Sequence, residues 1–452
     1  MIGLKAHIRS FGCQMNKLDT ALVRASLEDA GIGLTDHPSQ ADLVIINTCS
    51  VRDHAEQRVL SHLGHLQHIK RSRPRMVVAV IGCMAQRLGD QLLQHPAVDV
   101  VCGPAHLPDV VRLCLEALIN KTRSSVTDNW QETDRLDELE TSRPAAESPG
   151  HAYVRVMRGC NRACSYCIVP LVRGPERSRA PAAILDQVRI LADRGVRHIT
   201  LLGQTVNAYR YRLGEKTVYL ADLLEMVSSI SGIHWVSFLT SYPTERQFEP
   251  ILQQMAKNPK VCPYLHMPAQ SGSDRILAAM NRRYTACQYI DMIEKARAMV
   301  PGIAIAGDFI VGFPGETDQD FQQTLALINK VRYKNCFVFK YSPRPGTASS
   351  RMEDSVPDQV KSSRNSQLLA AQQQISSQIA SSFIGKTVTV LVEGPSKKAD
   401  RFGKEDGQLQ LVGRTNTDWP VVFTGAKGMV GQFVQVMIQD ASPFTLFGTC
   451  VS

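Results

Sequence analysis

Residues 160–167 read CNRACSYC, and this run, directly after a predicted strand, decides how the rest of the chain is interpreted. Three thiols on one short loop, those of Cys160, Cys164 and Cys167, can converge on a single metal centre. Soft thiolates favour an iron–sulfur cluster or zinc. Zinc sites usually close with four ligands, and no nearby Cys or His supplies a clean fourth, because His151 lies on the far side of the strand. The run therefore favours a cluster with one open iron, with zinc as the alternative.

Downstream of this loop the chain alternates apolar strand sequences with helical stretches. Six strand–helix units predict a partial barrel of the (β/α)6 kind, since a full barrel needs eight. The predicted strands are Tyr153–Met157, His198–Leu202, Trp235–Leu239, Tyr264–Met267, Ala304–Val311 and Phe337–Tyr341.

Upstream of the loop, residues 1–120 also alternate strands with helices, which predicts a doubly wound parallel sheet and an α/β fold. The predicted strands are Ala6–Phe11, Leu43–Asn47 and Met76–Ile81, and the predicted helices are Asn16–Ala30, Asp53–Lys70 and Leu107–Leu118.

Residues 121–150 are polar and have no apolar period, so we expect a linker there. A helix over Val360–Phe383 leads into short β-branched runs separated by glycines, which predict a small β-barrel of about five strands. The runs are Thr387–Val392, Gln408–Val412, Val421–Phe423 and Phe433–Ile438. The expected domains are residues 1–120, 151–380 and 381–452, with 121–150 as the linker.

A second set of cysteines lies at or just beyond the ends of the three N-terminal strands. Cys13, Cys49 and Cys83 would share one edge of a parallel sheet, where ligands bind in open α/β folds. Gly12 and Gly82 beside them would let the backbone approach a cluster closely. The alternative is three buried apolar cysteines, because free cysteine is commonly a core residue.

The composition narrows the class of protein. Twelve cysteines without a secretion signal favour reduced thiols, some of them metal ligands, over a disulfide framework. The sequence contains no run of about 18 apolar residues, which a membrane-spanning helix would need. We therefore expect a cytoplasmic protein.

The net charge of +9 belongs to the middle of the chain. Residues 1–150 carry a net charge of −2, residues 151–380 carry +10, and residues 381–452 carry +1. Such a positive middle segment would attract a polyanion such as RNA, although a solvated basic surface explains the charge equally well.

Motifs along essentially the whole chain resemble those of the methylthiotransferase family of radical S-adenosylmethionine (SAM) enzymes. They are Phe11 to Asn16 (FGCQMN), Cys160 to Pro170 followed by Arg173-Gly174 and Ser178-Arg179, Leu201 to Gln204 with Val206-Asn207, His266 to Ser273 (HMPAQSGS), Met280 to Arg282 with Tyr284, Asp308 to Thr317 (DFIVGFPGET), and Tyr341-Ser342 with Arg344 to Thr347. Within the family, Gly12 to Asn16 and Cys167 to Pro170 resemble the branch that acts on N6-dimethylallyladenosine in tRNA.

The resemblance implies three domains: an N-terminal methylthiotransferase domain, a radical SAM partial barrel and a C-terminal TRAM domain that binds RNA. It implies two [4Fe-4S] clusters, one on Cys160, Cys164 and Cys167 and an auxiliary one on the N-terminal triplet. SAM would serve both as radical source and as methyl donor. The product would be the 2-methylthio derivative of the modified adenosine 3′ of the anticodon.

This reaction makes physical demands that the chain must meet. The purine C2–H bond is unactivated, so a radical cofactor must supply the chemistry. The base must leave its stack, which costs least in a single-stranded loop. We therefore expect the anticodon stem–loop of tRNA as the partner, together with a reducing electron donor, and a protein that acts as a monomer.

Polar residues after the predicted barrel strands are candidates to bind SAM or substrate, because such barrels gather their active sites at strand carboxyl ends. Each of them could equally cap a loop. They are Gln204 and Asn207, Ser241, Gln270, Asp308 and Arg344.

Basic residues near the cysteine loop and in the tail are candidates to contact tRNA phosphates, with a plain solvated face as the alternative. Near the loop they are Arg155, Arg158, Arg162, Arg173, Arg177 and Arg179, with Glu176 as the one acid among them; in the tail they are Lys397, Lys398, Arg401 and Arg414.

Two competing interpretations remain from sequence. The first keeps the enzyme class and changes the substrate to threonylcarbamoyl adenosine or a ribosomal protein. The second is a non-catalytic iron–sulfur protein that binds RNA, and the three-cysteine run argues against it because a sensor needs no SAM site.

Overall fold

The computed structural model describes residues 3–50, 53–127, 133–397 and 408–451. The chain divides into two units. The first comprises Met1–Glu147, Tyr153–Arg162 and Cys167–Gln187, and the second comprises Ser148–Ala152, Ala163–Tyr166 and Val188–Ser452. Lys398 and Arg401, two of the predicted RNA contacts, lie outside the described residues.

The first unit contains a six-stranded sheet. Its strands are β1 (Lys5–Ser10), β2 (Gly33–Leu34), β3 (Leu43–Thr48), β4 (Val77–Gly82), β5 (Val100–Cys102) and β6 (Ser124–Val126). All neighbours are parallel, in the order β2-β1-β3-β4-β5-β6. Every residue of the central strands β3 and β4 is buried, as expected for parallel strands covered on both faces.

Helices pack against this sheet. They are α1 (Gln14–Asp29), α2 (Asp53–Ser72), α3 (Cys83–Leu88), α4 (Asp90–Leu93), α5 (Val110–Asn120) and α6 (Thr133–Ser142). Val44 and Val80 of the sheet share one core with Val59, Leu63 and Leu66 of α2. The predicted doubly wound sheet is confirmed.

Residues 121–150, predicted to be a linker, contain regular structure. Strand β6 pairs with the edge strand β5, and helix α6 buries Leu136, Leu139 and Glu140. A linker was predicted because this segment is polar and has no apolar period. The buried face of α6 includes the charged Glu140, which has ion-pair partners elsewhere in the first unit.

The next elements of the chain include two that pass from one unit into the other. They are β7 (His151–Arg155), β8 (Met157–Arg158), α7 (Val169–Arg173), β9 (Arg177–Ser178) and α8 (Pro181–Asp193). Strand β7 begins in the second unit and ends in the first, and α8 does the reverse. Strands β8 and β9 form a short antiparallel pair.

The second unit begins with the strands of a partial barrel. They are β10 (His198–Leu202), the hairpin β11 (Arg210–Leu213) and β12 (Lys216–Tyr219), β13 (Trp235–Phe238), β14 (Tyr264–His266), β15 (Ala304–Val311) and β16 (Asn335–Lys340). Strands β10 and β13 are parallel, as are β14, β15 and β16, and a bridge between Val236 and Val261 lies between the two groups. The hairpin was not predicted.

Helices separate these strands. They are α9 (Leu220–Ser228), α10 (Phe248–Lys257), α11 (Asp274–Ala279), α12 (Ala286–Met299) and α13 (Asp318–Val331). The alternation of parallel strands with helices is that of a βα barrel, and the predicted partial barrel is confirmed.

A long helix and a closed barrel complete the second unit. They are α14 (Asp358–Ser381), β17 (Thr387–Pro395), β18 (Gln408–Arg414), β19 (Pro420–Ala426), β20 (Phe433–Ser442) and β21 (Thr445–Val451). The five strands close in the order β17-β18-β19-β21-β20 around Trp419, Phe423 and other apolar side chains. The predicted small barrel is confirmed. Within the described ranges, no helix combines the length and the apolarity needed to cross a membrane.

Candidate active site

The N-terminal cysteines meet at one edge of the parallel sheet. Strands β1, β3 and β4 are neighbours, and Cys13, Cys49 and Cys83 follow them at the same end. The thiols of Cys13 and Cys49 are hydrogen-bonded, and Cys49 and Cys83 are buried. Cys13 is the N-cap residue of α1, and Cys83 is the first residue of α3. The backbone N–H groups of Met15 and Asn16 favour the thiolate form of Cys13.

Two glycines leave room around these sulfurs. A Cβ on Gly12 would lie 2.6 Å from the Cβ of Cys49, and a Cβ on Gly82 would lie 2.5 Å from the carbonyl oxygen of Thr48. Gly82 also has φ of +95°, a left-handed conformation that side chains disfavour. Both glycines are therefore closely packed against the neighbouring cysteine loops, and any larger residue would push those loops apart.

Buried asparagines fix the loops on which the cysteines stand. The amide Nδ2 of Asn16 donates to Asn47 Oδ1 at 2.9 Å and to the carbonyl oxygen of Thr48 at 2.7 Å. Cys13 Sγ lies 3.3 Å from Asn16 Oδ1. This network ties the start of α1 to the end of β3, and so sets the spacing of Cys13 and Cys49.

Arg173 brings a positive charge to the N-terminal triplet. Its Nε donates to Cys83 Sγ at 3.1 Å, and its Nη2 lies 2.9 Å from Asp19 Oδ2. The hydrogen bond with Cys49 lowers the pKa of Cys13 to about 6, with the Arg173 charge acting in the same direction against burial. Burial raises the pKa of Cys83, and Arg173 partly offsets that effect.

The residue types of the N-terminal triplet suit an iron–sulfur cluster, because soft thiolates are the usual ligands of its irons. A cluster spreads its irons, so each thiolate can bind a different iron. Three thiols, a nearby guanidinium and glycine-lined space are the donor set and surroundings that such a group requires.

The second triplet stands on the loop after β8. Cys160 is buried, and its Sγ accepts a hydrogen bond from the backbone N–H of Arg162 at 3.4 Å. In the second unit, Cys164 Sγ accepts from Arg282 Nη1, also at 3.4 Å. Cys167 is half-buried. The three thiols stand on eight consecutive residues, 160–167; Cys160 and Cys167 belong to the first unit and Cys164 to the second.

The segment after α11 holds this loop from the second unit. Asn281 Nδ2 donates to the carbonyl oxygen of Ala163 at 2.6 Å, and the backbone N–H of Ser165 donates to the carbonyl oxygen of Met280 at 3.0 Å. Sequence reasoning assigned no role to this segment, although the motif Met280 to Arg282 was visible.

Arg282 was also missed. Its guanidinium lies 4.4 Å from the ring centroid of Tyr242 and 5.1 Å from that of Tyr284, and it donates to the Tyr284 hydroxyl and to the carbonyl oxygen of Pro268. Aromatic faces stabilise a buried cation. The charge is therefore held beside Cys164 by groups that do not neutralise it.

Two predicted cofactor-binding residues have buried oxygen atoms that are still available. Gln204 Oε1 and Ser241 Oγ are buried, and neither has a hydrogen-bond partner among the described residues. A buried polar atom without a partner is costly. SAM or substrate would remove that cost, so these two atoms are the candidates that the geometry favours.

Asn207, another predicted cofactor-binding residue, holds a neighbouring loop. Its Nδ2 donates to the carbonyl oxygen of Tyr242 at 2.8 Å, and its Oδ1 accepts from the backbone N–H of Tyr242 at 2.9 Å. Both ends of the amide are therefore used to hold the loop that carries Ser241 and Tyr242, which makes Asn207 a loop-positioning residue.

Gln270, in the segment after β14, lies beside Asp308 of β15. The backbone N–H of Gln270 donates to the carbonyl oxygen of Asp308 at 2.8 Å, and Gln270 has a left-handed φ of +71°. Asp308 Oδ1 lies 3.3 Å from His266 Nε2. Burial opposes protonation of His266, but Asp308 raises the pKa of this imidazole above its ordinary value. His266 and Asp308 thus form a polar pair at the strand ends. The sequence analysis proposed Asp308 as a site residue and assigned no role to His266.

Arg344, the last predicted cofactor contact, is buried in the loop after β16. Its carbonyl oxygen accepts hydrogen bonds from the backbone N–H and the hydroxyl of Thr347. These bonds make a tight turn that fixes the backbone of Arg344.

Four of the six arginines predicted to contact phosphates are buried in ion pairs instead. Arg155 pairs with Asp19 and Glu140, and Arg179 Nη1 lies 2.9 Å from Glu140 Oε2. Arg158 pairs with Asp137, and Arg173 pairs with Asp19. These four candidates are therefore not accessible to phosphates, and the sequence could not show this because their carboxylate partners lie elsewhere in the chain; Arg162 and Arg177 are more accessible.

Replacing Glu140 by Ala is expected to destabilise the protein by about 3–5 kcal/mol, because it leaves Arg155 and Arg179 buried without their shared carboxylate. Glu138→Ala on the exposed side of the same helix is the matched control, with an expected loss within about 0.5 kcal/mol. Urea denaturation followed by circular dichroism measures both. Equal losses in the two variants would show that the buried ion pairs do not stabilise α6.

Comparisons with known proteins agree with this geometry. Residues 154–328 match the Radical SAM superfamily, residues 381–451 match the TRAM domain, and residues 5–103 match the uncharacterized protein family UPF0004. A solved radical S-adenosylmethionine methyltransferase, TsrM from Kitasatospora setae, is similar in fold over 77% of each chain, with a TM-score of 0.53 and 14% sequence identity. The fold and the cysteine loop thus define a radical SAM enzyme.

Full-length relatives narrow the class. The chain is 41% identical to the tRNA-2-methylthio-N(6)-dimethylallyladenosine synthase of Rhodopirellula baltica, over 98% of this chain and 94% of the relative. It is 40% identical to the synthase of that name in Aquifex aeolicus, over 98% of both chains. The chain belongs to the tRNA-2-methylthio-N(6)-dimethylallyladenosine synthase family.

Proposed function

We propose that this protein adds a methylthio group to C2 of N6-dimethylallyladenosine in tRNA, next to the anticodon on its 3′ side. The observation that carries the proposal is the presence of two separate cysteine triplets. Cys160, Cys164 and Cys167 suit a radical SAM cluster, and the N-terminal triplet adds a second site that SAM cleavage alone would not need. The family membership and the TRAM domain support tRNA as the substrate.

In this proposal, each triplet holds one [4Fe-4S] cluster. When bound, the clusters and SAM supply the electron, the radical, the sulfur and the methyl group, none of which a side chain can provide. The chain's own residues hold and orient these groups. Arg173 and Arg282 donate to Cys83 and Cys164, and the buried oxygens of Gln204 and Ser241 would accept hydrogen bonds from SAM or the nucleoside.

The base must be flipped out of the anticodon loop to reach the carboxyl ends of the barrel strands. We propose that the accessible basic residues Arg162, Arg177 and Lys397 contact phosphates nearby. Arg414 is tied to Glu393 and Asp418, so its role would be to shape the TRAM loop. We further propose that the enzyme works in the cytoplasm as a monomer and takes its electron from a separate reducing partner.

Deleting the gene should remove the 2-methylthio group from tRNA nucleosides and leave N6-dimethylallyladenosine in its place. Mass spectrometry of digested tRNA, from cells with and without the gene, measures both nucleosides. A copy of the gene returned on a plasmid should restore the product. Unchanged 2-methylthio-N6-dimethylallyladenosine in the deletion strain would overturn the proposed function.

A further inference from the structure

A chain of buried charges in the first unit ends on a cysteine of the N-terminal triplet. We call it the arginine–carboxylate chain; its members are Arg173, Asp19, Arg155, Glu140, Arg179, Asp137 and Arg158. Arg155, Asp19 and Glu140 are entirely inaccessible, and Arg179 is 1% exposed. Buried charges are costly unless they are compensated. The net charge of the arginine–carboxylate chain therefore affects how strongly Arg173 acts on the cysteine that it contacts.

The chain is not neutral in itself. It contains four guanidinium groups and three carboxylates, which leaves one positive charge. Burial and the neighbouring Arg179 and Arg177 lower the pKa of Arg158 to about 9, as expected where positive charge is in excess. Arg173 is the member of this chain that also contacts a cysteine.

The geometry of Arg173 directs part of its positive charge toward a sulfur. One side of its guanidinium faces Asp19 at 2.9 Å, and its Nε faces Cys83 Sγ at 3.1 Å. Asp19 keeps a second partner, Arg155, so Arg173 can direct much of its charge toward the sulfur. Arginine suits this place because its rigid fork reaches two acceptors at once, whereas lysine presents a single point charge.

We propose that Arg173 is a positioning residue for the second cluster: it donates a hydrogen bond to the Cys83 thiolate and, through its buried charge, raises the reduction potential of the cluster. The inference rests on the proposed function, which makes Cys83 a cluster ligand. Hydrogen bonds to sulfur and net charge both set the potentials of iron–sulfur clusters. A nearby positive charge stabilises the reduced form, because that form carries more negative charge.

The test isolates the second cluster in the full-length chain. In a background of Cys160→Ala, Cys164→Ala and Cys167→Ala, the N-terminal triplet alone binds a cluster after anaerobic reconstitution. Iron content and a redox titration followed by electron paramagnetic resonance are measured for Arg173, Arg173→Lys and Arg173→Gln. Arg75→Gln, an exposed arginine of the first unit, is the control for loss of a charge. Glu140→Gln is the control for disruption of the arginine–carboxylate chain away from the cysteines.

At the midpoint potential of the background protein, Arg173→Gln should lower the ratio of reduced to oxidised cluster at least tenfold, about 59 mV for one electron. Arg173→Lys should give a potential between those of the background protein and Arg173→Gln. The charge control should keep the background potential, and Glu140→Gln should not lower it, because this change removes a negative charge. Loss of iron from a folded Arg173→Gln variant, with iron retained in Glu140→Gln, would support the same role by showing that the ligand is no longer held.

An unchanged potential in a fully loaded Arg173→Gln variant would overturn the inference. So would equal loss of iron or an equal shift in Arg173→Gln and Glu140→Gln, because Arg173 would then act only through the stability of the fold. Failure of the proposed function is separate: in that case the background protein itself would bind no cluster.

Discussion

We expect the protein with Cys13, Cys49 and Cys83 all replaced by Ala to make no methylthiolated tRNA while still cleaving SAM. The three residues follow strands β1, β3 and β4 of the first unit, and their removal leaves the loop of Cys160 to Cys167 intact. The cluster needed for SAM cleavage should therefore form. The product should fall below detection, because the site proposed to carry the sulfur is gone.

Liquid chromatography with mass spectrometry measures 5′-deoxyadenosine and the modified nucleoside in the same reaction. Cys262→Ala, a buried cysteine away from both triplets, is the matched control and should keep both activities. Loss of SAM cleavage in a folded triple variant that retains about four irons would contradict the assignment of SAM cleavage to one triplet and of sulfur donation to the other.

The converse variant, with Cys160, Cys164 and Cys167 replaced by Ala, should bind about four irons where the wild-type protein binds about eight, since each cluster holds four. It should release no 5′-deoxyadenosine above background, because no open iron remains for SAM. Iron analysis after anaerobic reconstitution, alongside the cleavage assay, measures both results.

Wild-type protein that binds only about four irons, or a single zinc, would contradict the two-cluster account. So would a full complement of eight irons in the variant, because a cluster would then be held by other residues.

Much of the fold could be predicted because its signals are local. Strands β3 and β4 contain continuous apolar runs, at residues 43–46 and 77–81, and every residue of both strands is buried. The barrel strands were found within two residues at almost every boundary for the same reason. The hairpin of residues 210–219 was missed because its strands are mostly exposed and carry no apolar pattern.

Helix α6 shows where local signals fail. Its buried Glu140 pairs with Arg155 and Arg179, so the face that packs inward contains a charged residue. Periodicity of apolar residues cannot recognise such a face. The same ion pairs explain why arginines that the sequence assigned to RNA are buried.

The sequence predicted the cysteines proposed as cluster ligands, but it did not predict which residues surround them. The cysteines were found because spacing and strand ends carry the information. Arg173 is 90 residues from Cys83, and Arg282 is 118 residues from Cys164. Contacts over such separations depend on the tertiary fold, so single-sequence reasoning gave Arg282 no role and misplaced Arg173.

The identity of the substrate is the central claim, and competition between anticodon stem–loops tests it most directly. Unmodified, prenylated and threonylcarbamoylated stem–loops are offered to the reconstituted enzyme with SAM and a reductant, and the methylthiolated nucleosides are measured by mass spectrometry. We predict product from the prenylated loop, where a pocket can bury the added apolar surface at roughly 25 cal/mol per Å², and none from the other two. Methylthiolation of the threonylcarbamoylated loop, with none of the prenylated loop, would contradict the account.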